Sequence, residues 1–102
     1  MQLHALKLVT IVIEKVLRDQ ILQKIMELGA TGCTHTDALG IGSRGARKDD
    51  VFGGNARIEV VCSQAIADKI LTYISHHFFE PYACIAWVAD VSVVRGSRYV
   101  KD

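Results

Sequence analysis

A glycine-rich stretch from residue 39 to residue 56 carries the side chains best suited to chemistry in this sequence. It holds five of the eight glycines, and among them lie one hydroxyl and three cations: Ser43, Arg44, Arg47 and Lys48. Glycine lets a backbone approach a ligand closely, and arginines with backbone amides hold phosphate. Long structureless stretches in small domains are usually functional or disordered. We expect a long, mobile loop, and composition leaves a phosphate site and a solvated linker equally open.

The segment from Gly40 to Gly45 matches the G-x-G-x-x-G fingerprint of dinucleotide-binding proteins, but its surroundings do not fit. That fingerprint opens a helix in a parallel strand-helix-strand unit. Here the chain instead runs on to Gly53 and Gly54 and then to a predicted antiparallel strand. The loop also lacks the Gly-Lys-Ser/Thr ending of a Walker A motif. The pattern that remains is an anion site made by glycine amides and arginines.

The histidines and carboxylates form no obvious catalytic or metal-binding set. His76 and His77 are neighbours on a predicted helix and point about 100° apart, while His35 lies on a predicted strand. A joint metal site is therefore disfavoured, and we expect His77 to be partly buried and hydrogen-bonded. No Ser/His/Asp set, Cys/His set or carboxylate pair has an obvious catalytic spacing. We expect a binding protein rather than an enzyme.

The composition indicates one small globular domain, residues 1–102. Half of the residues are hydrophobic, 23% are charged, and the formal net charge is +1. This charge is too small for the many phosphate contacts of nucleic-acid binding, and the third predicted strand has no aromatic residues on which RNA bases could stack. The start of the chain resembles no signal peptide, and no apolar run is long enough to span a membrane. We expect a cytoplasmic, soluble protein without a nucleic-acid partner.

The three cysteines are Cys33, Cys62 and Cys84. They are odd in number, and no pair has the C-x-x-C spacing of a zinc or redox site. Each lies among apolar or strand-like residues. We expect buried free thiols in a reducing compartment.

Hydrophobic periodicity predicts six elements along the chain. They are a strand at 6–13, a helix at 17–28 ending at Gly29, strands at 32–38 and 57–62, a helix that Ser63 caps and that ends before Pro81, and a strand at 84–94. The apolar stripe of the second helix is Ile66, Ile70, Ile74 and His77, with Leu71 and Phe78 beside it. The order predicts an α+β, ferredoxin-like βαββαβ fold, with two helices on one face of a four-stranded antiparallel sheet.

The strands offer more apolar surface than two helices can cover. The first strand is apolar on both faces, and the last carries Trp87 on a parity that is wholly apolar. A large exposed apolar face usually marks an interaction surface. We expect other copies of the chain to cover the open face of the sheet.

The sequence resembles the PII-like signalling proteins, and in particular those tied to inorganic-carbon uptake, the SbtB and carboxysome-associated PII types. The matching residues span nearly the whole chain: 7–12 with Glu14 and Lys15, 29–34, 40–44 with Arg47, and 82–85. The most specific piece is Gly-x-Gly-Ser-Arg-x-x-Arg, which runs from Gly40 to Arg47. The remaining matches belong to sequence patterns that other ferredoxin-like trimers share.

This resemblance implies a homotrimer that binds adenine nucleotides in clefts between subunits. The loop, called the T-loop in that family, would change order with the nucleotide and dock on a membrane bicarbonate transporter (SbtA-like) or another carbon-uptake protein of a carbon-concentrating mechanism. The chain would then be recruited to the inner face of the plasma membrane. The nucleotide-binding residues carried over are Gly40, Gly42, Ser43, Arg44 and Arg47 at the loop base, Tyr82, Ala83 and Cys84 in the connector before the last strand, and Arg95 and Arg98 in the C-terminal turn.

The family pattern is not matched everywhere, and this leaves the ligand open. No tyrosine lies between Leu39 and Ala56, and the glycine- and lysine-rich connector that holds ATP phosphates in nitrogen-type PII proteins is missing. AMP, ADP, ATP and cyclic AMP are therefore all candidates, none of them expected to be tightly bound. Carboxysome-associated relatives imply bicarbonate as a further ligand or signal. A CutA-type trimeric metal-binding protein has the same fold and is the alternative, although it would not need the Ser43, Arg44 and Arg47 arrangement.

Overall fold

Strands and helices follow one another in the order strand, helix, strand, strand, helix, strand. The computed structural model describes residues 1–40 and 54–95. The elements are β1 (Leu3–Glu14), α1 (Arg18–Glu27), β2 (Thr34–Ala38), β3 (Asn55–Cys62), α2 (Gln64–Phe78) and β4 (Ile85–Val94). One turn of 3₁₀ helix, Lys15–Leu17, joins β1 to α1. The predicted ferredoxin-like α+β fold is confirmed.

The sheet has the strand order β2-β3-β1-β4, and every neighbouring pair is antiparallel. The strand β1 therefore lies in the interior of the sheet, where Val9 is opposite Val60 of β3 and Val88 of β4. A strand in this position pairs on both sides and meets apolar neighbours on both faces. The β-branched, almost continuously apolar sequence of β1 suits this position.

One face of the sheet packs against both helices and forms the core. Val9, Ile11 and Ile13 of β1 lie on this face, opposite alternate residues of β3. The helices contribute Ile21, Ile25, Ala67, Ile70, Ile74 and Phe78. Side chains at spacings of three and four share one face of a helix, so each helix turns a single apolar stripe to the sheet.

The predicted stripe of α2 is wrong at its C-terminal end. Phe78 is buried and His77 is exposed. The stripe continues from Ile70 and Ile74 to residue 78, four positions on, and this turns residue 77 toward solvent. The predicted hydrogen bond of His77 is present, since its Nδ1 lies 2.9 Å from the carbonyl oxygen of Tyr73.

Local residues set the ends of the helices as expected. The Ser63 hydroxyl accepts a hydrogen bond from the backbone N–H of Ile66 at 3.3 Å and so caps α2. Gly29 follows the last turn of α1 with a φ of 115°, a conformation that residues with a Cβ rarely adopt. The strand bounds differ by a few residues from those predicted. The strand β1 begins at Leu3, opposite Val94, and β2 begins only at Thr34, where pairing to Glu59 starts.

The other face of the sheet has no helix on it among the described residues. Register places alternate residues of β1 and β4 there: Leu6, Leu8, Thr10 and Val12 with Ile85, Trp87, Ala89 and Val91. The Trp87 ring is partly exposed, and the Arg57 guanidinium carbon lies 5.4 Å from its centroid. This open face is apolar across β1 and β4, as the sequence predicts.

Candidate functional site

The ends of β1 and β2 and the start of β3 lie side by side at the base of the predicted loop. Asn55, the first residue of β3, is opposite both Ala38 at the end of β2 and Glu14 at the end of β1. Gly54 has a φ of 68°, and a Cβ there would lie 3.0 Å from Leu39 Cδ2 and 3.3 Å from the Ala38 carbonyl oxygen. The position therefore requires glycine, because the incoming and outgoing segments nearly touch. We call residues 37–40 and 54–55 the loop neck.

Lys15 contacts both sides of the loop neck. Its backbone N–H donates to the Gly54 carbonyl oxygen at 3.0 Å, and its Nζ donates to Asp37 Oδ2 at 2.8 Å. The hydrogen bond from Lys15, with the positive charges of Lys15 and Arg18, lowers the pKa of the Asp37 carboxyl. Asp37 is therefore ionised at neutral pH, and the neck carries a closed ion pair beside exposed Gly40.

The predicted phosphate-binding residues Gly42, Ser43, Arg44 and Arg47 lie outside the described residues. The prediction that the loop is mobile concerns residues that are likewise not among those described. The described strands place the loop between Ala38 and Asn55, close to the predicted bounds of 39 and 56.

The connector before β4 lies at the same end of the sheet as the loop neck. Tyr82, Ala83 and Cys84 directly precede Ile85, which is opposite Val12 near the end of β1. The Tyr82 N–H donates to the Phe78 carbonyl oxygen at 3.1 Å, and the two rings are 5.8 Å apart. Burial raises the pKa of the Cys84 thiol to about 11, so this thiol is neutral at physiological pH. The connector offers a neutral, partly apolar wall that is fixed to the core.

A pocket that sequence reasoning missed lies near the middle of the sheet, about 13 Å from the loop neck along β2 and β3. It has a volume of about 420 Å³ and is lined by Leu8, Gly32, Cys33, Thr34, Glu59 and Val61. The period-2 pattern of β3 places Glu59 and Val61 on one face, but only strand pairing brings them beside β2. The prediction of buried thiols is right for Cys62 and wrong for Cys33, which is exposed in this pocket because it precedes the edge strand β2.

Arg95 lies at the end of the sheet opposite the loop neck. It follows Val94, which is opposite Leu3, and its φ of 63° turns the chain as β4 ends. Arg98 lies outside the described residues. The ten residues of β4 separate Arg95 from the connector, and at about 3.3 Å per residue this is about 30 Å. One chain therefore keeps the predicted site residues at two distant ends.

A metal centre has no set of ligands in the described part of the chain. Within residues 1–40 and 54–95, no group of three His, Cys, Asp or Glu side chains is placed to hold a metal ion. In the same ranges, no helix combines the length and apolar character needed to cross a membrane.

The family model of nitrogen regulatory protein P-II matches residues 6–98. The chain belongs to the P-II family. The family match agrees with the PII-like resemblance and favours it over the CutA-type alternative. Among curated proteins, none matches this sequence.

Solved structures of other P-II proteins share the fold. A PII-like signalling protein from Thermus thermophilus is 42% identical, and the match covers 98% of this chain and 100% of that one with a TM-score of 0.85. CPII from Thiomonas intermedia K12, a nitrogen regulatory PII-like protein solved with ADP, AMP and bicarbonate, is 20% identical over 98% of both chains, with a TM-score of 0.84. B. subtilis GlnK in complex with ATP is 18% identical over 85% of this chain and 82% of its own, with a TM-score of 0.65.

Proposed function

We propose that this P-II protein is a signalling protein of the SbtB or carboxysome-associated type. In this proposal it forms a homotrimer, binds adenine nucleotides in the clefts between subunits, and regulates bicarbonate uptake through its T-loop. Family membership supports a signalling role, and the nucleotides and bicarbonate bound by CPII support the ligand class. The protein acts as a binding switch and not as an enzyme.

The observation that carries this proposal is the division of the candidate residues between two ends of the sheet. Gly40, the connector and the loop neck lie at one end, while Arg95 lies at the other end, about 30 Å from the connector. No single chain can bring both groups around one nucleotide. A ring of copies can, because a head-to-tail interface brings one end of a subunit against the opposite end of its neighbour.

The open face of the sheet supplies a surface for this assembly. It is apolar across β1 and β4, and Trp87 is 39% exposed in the single chain. Burial of apolar surface contributes about 25 cal/mol per Å², so covering such a face favours association. We assign this face to the contact between copies.

The loop base and the pocket suit different parts of a nucleotide. Arginines and glycine amides at the loop base suit phosphate, and the half-buried pocket with Glu59 can accept hydrogen bonds from hydroxyl groups. AMP, ADP, ATP and cyclic AMP all remain candidates, bound reversibly, with bicarbonate as a further ligand. The T-loop would then present its nucleotide-dependent form to a cytoplasm-facing surface of a membrane bicarbonate transporter.

Calorimetric titration with AMP, ADP, ATP and cyclic AMP, each with and without bicarbonate, tests the ligand class. We expect heat and a rise in Tm for at least one adenine nucleotide, with light scattering reporting a trimer. Absence of heat and of a thermal shift for the whole panel would reject nucleotide sensing. A pull-down of the transporter that depends on the bound nucleotide would support the proposed partner.

Mixed oligomers test whether each site is shared between subunits. Arg44→Ala disables the loop end, and Arg95→Gln removes the cation at the opposite end of the sheet. Each variant alone should bind nucleotide poorly, whereas co-refolded mixed trimers should regain a cleft that pairs an intact loop base with an intact Arg95. If mixing restores no binding although both variants form trimers, the sites are not shared.

A further inference from the structure

The turn between β1 and α1 is tied to both segments that lead into and out of the T-loop. Lys15 is the first residue of this turn. Its backbone N–H bonds to the carbonyl oxygen of Gly54 on the outgoing side, and its ammonium bonds to Asp37 on the incoming side. One residue therefore joins two segments that are far apart in sequence.

The geometry of the loop neck makes this connection restrictive. A side chain at Gly54 would be strained, because its φ is 68° and a Cβ there would lie 3.0 Å from Leu39 Cδ2 and 3.3 Å from the Ala38 carbonyl oxygen. The two segments are thus in contact, and Lys15, in the turn after β1, forms a hydrogen bond to each of them. A loop whose ends are held in one relative position has fewer conformations to lose when it binds a ligand.

The charges around the neck favour the ion pair between Lys15 and Asp37. The Asp37 side chain faces Lys15, with Arg18 and His35 close enough to stabilise its negative charge, and these interactions lower its pKa. A carboxyl whose pKa is lower in the folded state stabilises the fold at pH values above its unfolded-state pKa. This stabilisation is lost as the pH falls through its folded-state pKa. The pair is therefore intact over the physiological range. Its side chains are 35% and 66% exposed, so solvent and salt weaken it.

We propose that Lys15, with Asp37, is a positioning residue that staples the loop neck to the turn between β1 and α1. By holding both sides of the neck, the staple keeps the neck in one geometry for nucleotide binding. The effect on nucleotide affinity rests on the function proposed above, whereas the effect on the neck itself does not.

The test combines amide hydrogen exchange with nucleotide titration on the whole protein. Lys15→Met keeps the length of the side chain and removes its charge, and Asp37→Asn is nearly isosteric. Lys24→Met and Glu27→Gln are matched controls, because they remove charges from an ion pair on α1 that lies outside the neck. The amide of residue 15, which bonds to Gly54, reports on the neck, and the amides of β1 report on global unfolding.

Each neck variant should speed exchange of the residue-15 amide by about two- to fivefold without changing exchange in β1, and the controls should not. The double variant should be no faster than either single one, because the pair acts as a unit. Nucleotide affinity should fall by a similar factor in both neck variants, and 1 M salt should remove the difference from the parent.

The possible failures are distinguishable. Unchanged exchange at residue 15 in Lys15→Met and Asp37→Asn would overturn the staple. Faster exchange with unchanged nucleotide affinity would overturn its role in positioning the loop for ligand. A parent protein that binds no adenine nucleotide would overturn the proposed function, and the exchange data would still decide whether the staple exists.

Discussion

At the scale of residues, the proposed phosphate site depends on two arginines of the loop. Arg44 and Arg47 are three residues apart beside several glycines. An arginine-phosphate hydrogen bond is charge-assisted and contributes about 1.5–3 kcal/mol. Replacing either arginine by alanine should therefore weaken nucleotide binding by about one to two powers of ten, measured by calorimetric titration.

Lysine provides the sharper comparison at this site. Arg44→Lys keeps the charge but cannot reproduce the planar, two-pronged donor geometry, so we expect it to restore only part of the affinity. Light scattering should give the same oligomer for all these variants. Alanine variants that bind nucleotide as tightly as the parent would contradict a phosphate site in this loop.

The burial of two thiols makes the stability of the folded protein depend on pH in the alkaline range. Burial raises the pKa of Cys62 and of Cys84 to about 11, against an ordinary value of 9.0. The folded state thus favours the neutral thiols, and this stability is complete below about pH 9 and is lost as pH rises toward 11. For fully buried Cys62, two pH units correspond to about 2–3 kcal/mol.

Chemical denaturation at several pH values between 8 and 11 checks this dependence. The parent should lose stability more steeply than Cys62→Ala or Cys84→Ala, whatever their stabilities at pH 8. Cys33→Ala is the comparison: Cys33 is exposed, although partial burial raises the pKa of its thiol as well, so we expect a smaller change of slope than at Cys62 or Cys84. If stability fell equally steeply with pH in the parent and in the Cys62 variant, burial of this thiol would not be the cause of the loss of stability at alkaline pH.

At the scale of elements, the end of α1 depends on a glycine conformation. Gly29 has a φ of 115°, and a Cβ there would lie 2.7 Å from Ile66 Cδ1 on α2. The side chain of Ile66 can shift, so backbone strain is the larger cost, and Gly29→Ala should lower the free energy of unfolding by about 1–3 kcal/mol. Urea denaturation measures this loss.

Gly32 is the matched control for Gly29. It lies three residues further on, its φ is outside the positive range, and a Cβ there would meet no atom within 4 Å. We expect Gly32→Ala to leave stability unchanged or to raise it slightly, because alanine reduces the entropy of the unfolded chain. Equal losses in the two variants would mean that positive φ does not determine the helix end.

At the scale of the whole molecule, we propose that copies assemble through the open face of the sheet. Trp87 lies on this face, opposite Thr10 and beside the Arg57 guanidinium. A carboxylate at this position would be desolvated between copies at a cost of several kcal/mol. Trp87→Glu should therefore abolish the oligomer or cause aggregation, as measured by light scattering and sedimentation.

Val16→Glu is the matched control for assembly. Val16 is 82% exposed in the turn after β1 and lies on neither face of the sheet. We expect this variant to form the same oligomer as the parent. A well-behaved oligomer of Trp87→Glu would mean that copies do not meet through the open face.

The sequence by itself determined the elements, their order and the family. Period-2 and period-3.6 patterns are local, so β1, α2 and the cap at Ser63 could be predicted within a few residues. The Gly-x-Gly-Ser-Arg-x-x-Arg element and the connector at 82–84 carried the resemblance to PII-like proteins, and the family model over residues 6–98 confirms the P-II family.

Only the tertiary structure decided which side chains meet. Strand pairing brought Glu59 and Val61 beside Cys33 to form a pocket, and the close approach at Gly54 brought Lys15 to Asp37. These contacts join residues far apart in sequence, and no local pattern encodes the register that creates them. The same register places Arg95 about 30 Å from the connector along β4, because an antiparallel sheet carries the end of its last strand back toward the start of its first.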